Sequence, residues 1–274
     1  MSAQHASELE LGERFGFGAN WTRFLEGLTG EGIRIARDAL SDMLGHHDLR
    51  GKRFLDVGSG SGLSSLAARQ LGADVHSFDY DPASVACTRE LRRRYFPAAS
   101  DWKIEEGSAL DPVYLGTLGT FDIVYSWGVL HHTGAMYAAL DRVAATVAPS
   151  GQLFIALYND QGWISRYWLW VKRCFNRNAF NRTALTIAHA PYLILLRQLV
   201  RVIGGRARLE RGMTLWTDTL DWLGGYPFEV AKPEQLMRFL RERGFVLENL
   251  RTCGARMGCN EYVFTRSAKA SSAS

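Results

Sequence analysis

Arg53-Phe-Leu-Asp-Val-Gly-Ser-Gly-Ser-Gly62 sets the frame for the whole chain. Arg53 to Val57 is a short apolar run with strand character, interrupted by one acid, Asp56. Gly58, Gly60 and Gly62 follow at alternate positions. Glycines placed directly after a strand let the backbone approach a ligand where a β-carbon would collide. Leu63 to Leu71 then carries helical spacing and stops at Gly72. Strand, glycine turn and helix open a doubly wound sheet, and nucleotides bind at such turns. A glycine turn can also serve plain packing.

Asp79 adds a second, independent sign. It ends the run Val75-His-Ser-Phe-Asp79, a second strand, which sets its carboxylate beside the turn. There it can accept both hydroxyls of a ribose; the alternative is that it only caps a turn with Asp81. Asp56 is an acid inside a hydrophobic strand, which is costly without partners. It suits the amides of the turn or the ammonium group of a ligand.

The alternation continues downstream. Pro82 to Tyr95 reads as a helix, with Asp81 as N-cap and Pro82 at its first position. Trp102–Glu106 and Phe121–Tyr125 are strands, Met136–Val147 a helix, and Gly151–Leu157 a fifth strand. Helical crossovers of this length imply a parallel sheet. The pattern resumes at Pro233, whose helix runs to Arg243. Two last strands follow, Phe245–Thr252 and Asn260–Thr265. The short turn between them, Cys253 to Cys259, contains Gly254 and Gly258 and suits an antiparallel hairpin.

From Asp160 to about Val230 the strand rhythm is absent. Trp163 to Phe175 reads as an amphipathic helix with Trp163, Tyr167, Trp170 and Cys174 on one row, while Arg166, Lys172 and Arg173 point elsewhere. Asp160 to Gly212 carries ten Lys/Arg against two Asp/Glu in a chain of net charge +4. Leu185–Ile203 is apolar, but His189, Pro191, Arg197 and Arg201 make it a buried or interfacial helix and not a membrane span. The division is then a helical N-terminal cap (1–50), a nucleotide-binding core (51–159), a helical lid insertion (160–230), a C-terminal completion of the core (231–266) and a tail (267–274). Met1 to Gly12 is expected to be a second loose tail.

The four cysteines, Cys87, Cys174, Cys253 and Cys259, form no C-x-x-C pair, so neither a metal knuckle nor a redox dithiol is expected. Reduced thiols and the lack of a signal-peptide pattern point to the cytoplasm.

Asp56-Val-Gly-Ser-Gly-Ser-Gly62 resembles the first motif of class I S-adenosylmethionine (SAM)-dependent methyltransferases. A dinucleotide enzyme would carry G-x-G-x-x-G, with a glycine where this chain has Leu63. The resemblance implies an α/β fold: a seven-stranded, mostly parallel, doubly wound Rossmann-like sheet of order 3-2-1-4-5-7-6, with a helical insertion after strand 5. It implies SAM as cofactor and S-adenosylhomocysteine (SAH) as product. Gly58, Gly60 and Gly62 would line the methionine and ribose portions, Asp79 would bind the ribose, and Ser108 and Ala109 would flank the adenine; Asp56, Ser59 and Tyr80 are further cofactor-binding candidates. The loop Ser126–Thr133, which includes Trp127, would close over the cofactor. Phe15, Phe17 and Trp21 suit either a cover for the cofactor or core packing.

Methyl transfer to a hydroxyl needs a base, and histidine is the natural one near neutral pH. His131, His132 and Tyr158 are the candidate catalytic residues at the sheet's carboxyl edge. Asn159, Tyr226 and Glu229 are candidate acceptor contacts. Leu153-Phe-Ile-Ala-Leu-Tyr-Asn159, followed by a basic, aromatic helical segment, is similar to the ubiquinone-biosynthesis O-methyltransferases, whose insertion touches membrane and admits a lipid-tailed phenol. The expected partner is therefore a small-molecule acceptor, methylated at oxygen. A lipid-linked acceptor with peripheral membrane contact is the alternative, and the tryptophan face also suits a homodimer interface. Nucleic acid is disfavoured: there is no Asn-Pro-Pro-Tyr-type motif, and the arginines lie among aromatics at helical spacing. A nicotinamide oxidoreductase, disfavoured by Leu63 and the terminal hairpin, and a noncatalytic SAM-binding module are the readings from other classes.

Overall fold

The computed structural model describes residues 2–203, 215–254 and 258–268. Part of the basic stretch, the middle of the Cys253–Cys259 turn and the end of the C-terminal tail lie outside the described residues.

Seven strands form one sheet: β1 (Arg53–Val57), β2 (Asp74–Asp79), β3 (Trp102–Glu106), β4 (Phe121–Trp127), β5 (Val147–Tyr158), β6 (Phe245–Arg251) and β7 (Cys259–Arg266). Their order is β3-β2-β1-β4-β5-β7-β6. Neighbours from β3 to β5 are parallel, and β7 is antiparallel to both β5 and β6. The sheet and its one reversed strand agree with the expected topology. β1 and β4 are buried on both faces, as a central parallel strand must be.

Helices cover both faces. α3 (Gly30–Leu44), α4 (Leu63–Gln70) and α5 (Pro82–Tyr95) lie on one, around Phe54, Tyr125 and Phe154. α6 (Pro112–Leu118), α7 (Met136–Ala145) and α11 (Pro233–Arg241) lie on the other, around Leu55, Val57 and Val124. Asp81 caps α5 by accepting from the Ala83 amide, and Asp111 caps α6 from Val113 and Tyr114. Gly62 has φ +81°, and a β-carbon there would lie 2.8 Å from Thr88 Cα, so glycine lets α4 begin tight against α5.

The insertion has its own core. α8 (Trp163–Arg177), α9 (Ala179–Ile203) and α10 (Leu215–Gly224) pack Trp168, Val171, Phe175, Leu193 and Leu223 together with Phe228. Lys172, expected to point away, is fully buried: its Nζ donates to the Trp222 carbonyl and lies 4.7 Å from that residue's ring centroid. The helical spacing of α8 shows its apolar row, but α10 packs against the adjoining face as well.

The N-terminus also departs from expectation. Residues read as a loose tail form α1 (Ser2–Glu10), followed by α2 (Gly18–Glu26). Glu8 accepts from Arg14 Nε at 2.8 Å and from the Tyr80 hydroxyl at 3.0 Å, and His5 is buried. These contacts fix α1 over the end of β2. Among the described residues no helix is long and apolar enough to cross a membrane.

Candidate active site

A cavity of about 1770 Å³ opens along the carboxyl edge of the sheet. It exceeds the roughly 300–1,000 Å³ of a typical small-molecule site, so a nucleotide and a second ligand fit side by side. One end is built by the β1–α4 turn, the end of β2 and the β3–α6 loop. The other is built by the N-terminal segment, the β4–α7 loop and the insertion.

At the first end Asp56, Gly58, Ser59, Gly60, Asp79, Tyr80, Ser108, Ala109 and Trp127 all line the cavity. Gly62 lies behind it, at the α4–α5 contact. Asp79 accepts from the Gly60 amide at 2.8 Å and from the Asp81 amide at 2.9 Å, so it also holds the turn together. Each carboxylate oxygen keeps a further lone pair for a ligand hydroxyl. A β-carbon on Gly60 would lie 3.2 Å from the Trp21 ring, which sits over the turn. The positive-φ turn, an acid ending the next strand and a covering ring fit an adenosyl group.

Both acids here are poorly hydrated. Burial pushes Asp79 up to about 6, against hydrogen bonds that lower it. Asp56 is pushed up to about 7, chiefly by burial, with the Asp79 charge adding and the Ser65 hydrogen bond opposing. Asp56 accepts from the Ser65 hydroxyl, not from the glycine turn; Ser65 reaches Ser77 at 2.7 Å, which accepts from Trp102 Nε1 at 2.9 Å. A carboxyl raised from 3.8 to about 7 by folding binds more protons folded than unfolded. Its stabilising contribution is whole below about pH 4 and lost as pH rises through 7. Asp56→Asn should therefore gain stability relative to wild type between pH 5 and pH 8, by roughly 2–4 kcal/mol. Ligand-free melting curves at the two pH values check this; a difference that does not grow with pH contradicts it.

The two histidines part company. His132 lines the cavity, and His131 is fully buried behind it. His132 Nδ1 lies 2.6 Å from the Pro227 carbonyl, which can only accept, so Nδ1 carries the proton and Nε2 the lone pair. Burial drives its pKa down to about 3, opposed by the Pro227 hydrogen bond and aided by Lys172 and Arg14. His131 receives the Tyr158 amide on Nδ1 at 3.4 Å and packs its ring 3.9 Å from that of Tyr158. Burial, then His132 and Lys172, hold it well below its usual value. Tyr158 reaches the cavity between His132, Trp222 and Phe228.

The three residues read as acceptor contacts stand outside the cavity wall. Asn159 accepts from Asn260 at 3.1 Å. Tyr226 precedes Pro227 through a cis bond, and its carbonyl accepts from the Phe15 amide at 2.9 Å. Glu229 accepts from the Met136 amide at 2.9 Å, capping α7, whose preceding residue Ala135 offers no side-chain cap. The residues that do face the second end include Phe15, Phe17, Gln161, Trp163, Trp168 and Asp221. From the sequence Phe15 and Phe17 read as a cofactor cover or core packing and the tryptophans of the insertion as a membrane or dimer face, and Asp221 is not singled out at all. Glu261, in β7, also lines the cavity and accepts from Trp127 Nε1 at 2.7 Å.

Comparison with known proteins agrees with this geometry. The family model described as a methyltransferase domain matches residues 29–190. The ubiquinone biosynthesis O-methyltransferase of Xanthomonas oryzae pv. oryzae (strain PXO99A) is 31% identical over 112 residues, 41% of this chain and 45% of the relative. That of Rhodopseudomonas palustris (strain BisB5) is 32% identical over 111 residues, 40% of this chain and 42% of the relative. The match thus spans under half the length of these curated relatives. Among solved structures, magnesium protoporphyrin IX methyltransferase from Synechocystis PCC 6803 with bound SAH shares the fold at TM-score 0.55 and 16% identity, covering 91% of this chain and 94% of that one. An O-methyltransferase family protein from Burkholderia thailandensis has TM-score 0.55 and 12% identity, covering 86% and 57%. The chain belongs to the methyltransferase-domain family, that of the class I SAM-dependent methyltransferases.

Proposed function

We propose that this protein transfers the methyl group of SAM to a hydroxyl oxygen of a small, largely aromatic acceptor. One observation carries the reading: the adenosyl end and an aromatic chamber are parts of one cavity, with His132 on the wall. SAM supplies an electrophilic methyl on a sulfonium that leaves as a neutral thioether, so no acid is needed. The chain's own part is to hold the acceptor in line and exclude water. The neutral Nε2 of His132 accepts the hydroxyl's hydrogen bond. Its low basicity is no obstacle, because a hydroxyl oxygen gaining a methyl group becomes far more acidic than imidazolium. The proton then passes to Nε2 late in the transfer.

A second reading, a lipid-linked acceptor, is favoured by the outer face of the insertion. Phe180, Ile187, Tyr192 and Leu195 make an exposed apolar stripe on α9, Phe180 being 80% exposed. Trp163, Tyr167 and Tyr192 are exposed and also line the cavity. Arg166 and Arg173 stand exposed on α8 beside Trp163, Tyr167 and Trp170. An apolar stripe flanked by arginines suits an anionic bilayer surface.

Thermal melting with SAH is the direct test. Ligand at 1,000 times its Kd is expected to stabilise the fold by about 4 kcal/mol, with NAD giving no shift. Equal stabilisation by NAD, or none by SAH in a folded protein, excludes the reading. Flotation on vesicles with and without phosphatidylglycerol separates the lipid-linked acceptor from the soluble one.

A further inference from the structure

The hydrogen bond that sets the tautomer of His132 joins two loops. On one side His132 closes a short 3₁₀ turn, Leu130–His132, after β4. On the other side Pro227 lies in the loop that follows α10. A turn this short leaves its last carbonyls without partners of its own, so something else must hold them.

Two adjacent residues of the segment between α1 and α2 hold both sides. Arg14 lines the cavity and donates from Nη1 to the His132 carbonyl at 3.1 Å, across 118 residues of chain. The Phe15 amide donates to the carbonyl of Tyr226, the residue bonded to Pro227, at 2.9 Å. Phe17 adds its ring 5.0 Å from the imidazole. The separation between the His132 ring and the Pro227 carbonyl is therefore governed from one short piece of backbone.

Arg14 is also held on its far side. Its Nε donates to one Glu8 oxygen at 2.8 Å, and the guanidinium carbon lies 4.8 Å from the Tyr80 ring centroid. The Tyr80 hydroxyl donates to the other Glu8 oxygen at 3.0 Å. A planar guanidinium can meet a carboxylate, a ring face and a carbonyl together, which a lysine ammonium does poorly. The surrounding segment is anchored as well. A β-carbon on Gly12 would lie 2.3 Å from the Asn176 carbonyl oxygen, and Asn20 on α2 donates its side-chain amide to Asp221 on α10. Bracing α1 would need Glu8 alone; the bond to the His132 carbonyl asks for another purpose.

We infer that Arg14 is the positioning residue for His132: by holding the His132 carbonyl beside the Phe15–Tyr226 bond, it keeps Nδ1 on the Pro227 carbonyl and the Nε2 lone pair available to the acceptor. This rests on the proposed role of His132 in methyl transfer. Without the guanidinium the His132 carbonyl loses a charge-assisted donor. The contact from Nδ1 to Pro227 then loosens, and the imidazole gains the tautomer with its proton on Nε2. That tautomer has no lone pair there for a hydroxyl.

The test is the imidazole nitrogen NMR spectrum of the full chain saturated with SAH, in which the two ring shifts report the tautomer populations. The His132 pair is assigned by its absence from His132→Asn. Wild type is expected to show a protonated Nδ1 and an unprotonated Nε2. Arg14→Met keeps an apolar stem and removes every donor. It is expected to raise the ratio of the Nε2–H to the Nδ1–H tautomer about ten-fold, with SAH affinity and the circular dichroism spectrum kept. Arg14→Lys keeps the charge and a donor but not the fork, and is expected to raise it only about three-fold. An arginine that merely braces α1 would, when replaced, lower the melting temperature and leave both shifts in place. Unaltered shifts in Arg14→Met overturn the inference; if that variant does not fold, unaltered shifts in Arg14→Lys do so. A wild type with its proton on Nε2 overturns it as well. The methyltransferase reading fails separately, through wild type that binds no SAH in calorimetry, and the role of His132 through an unchanged rate in His132→Asn.

Discussion

His132→Asn is expected to lower kcat by about 10²-fold or more while SAH affinity stays within about two-fold. The substitution is chosen for its atoms. Asparagine Nδ2 stands where imidazole Nδ1 does and can still donate to the Pro227 carbonyl, now 2.6 Å from Nδ1. What it lacks is the Nε2 lone pair. The loop conformation is thus kept while the acceptor of the hydroxyl proton is removed. Because the pKa of His132 is held near 3, the imidazole is neutral across pH 5–8. No acid limb from this group should enter the wild-type rate profile in that range. Single-turnover rates for both proteins measure the effect, and a variant within three-fold of wild type would remove His132 from the chemistry.

Asp79→Asn should act at the other end and in the other parameter. A charged acceptor that receives two ligand hydroxyls contributes about 1.5–3 kcal/mol per bond, so SAH is expected to bind about 10- to 100-fold more weakly. The asparagine keeps the volume and one oxygen for the turn, where Gly60 and Asp81 now donate. With SAM saturating, kcat should hold within a few-fold, since the lost contact is to the ribose and not to the transferred group. Isothermal titration with SAH and a SAM saturation curve give the two numbers. Unchanged affinity in the variant would mean that Asp79 serves only to brace the Gly60 turn.

The contrast between these residues mirrors what could be read along the chain. Asp79 lies 19 residues after Gly60, and one strand and one helix carry the chain between them, so local pattern brings them together. The parallel order follows from the same crossovers. The reversed β7 follows from a turn too short for another helix. Asn20 and Asp221 have no such link: they meet because a cap and an insertion close over one edge of the sheet. Lys172 misled for a related reason. Helical spacing gives the direction of a side chain but not how many neighbours the helix has, and α10 covers the face that spacing alone leaves to solvent. Glu229 looked like a ligand contact because it is an acid in a glycine-bearing aromatic loop, yet α7 starts without a capping side chain of its own and takes this one. The short helix α6 went unread although Asp111-Pro112 carries a capping signal, because seven residues containing Gly116 show too little periodicity.

One stretch of backbone touches both ends of the cavity. Gly18 donates its amide to Asp81 at 2.8 Å, and Trp21 lies over Gly60. Between and beside them, Phe17 sets its ring 5.0 Å from that of His132, and Asn20 holds Asp221. A ligand that steadies this stretch from the adenosyl side prepares the opposite side without touching it. By thermodynamic linkage the benefit runs equally in reverse: whatever factor SAH adds to the affinity of an acceptor analogue, the analogue returns to SAH.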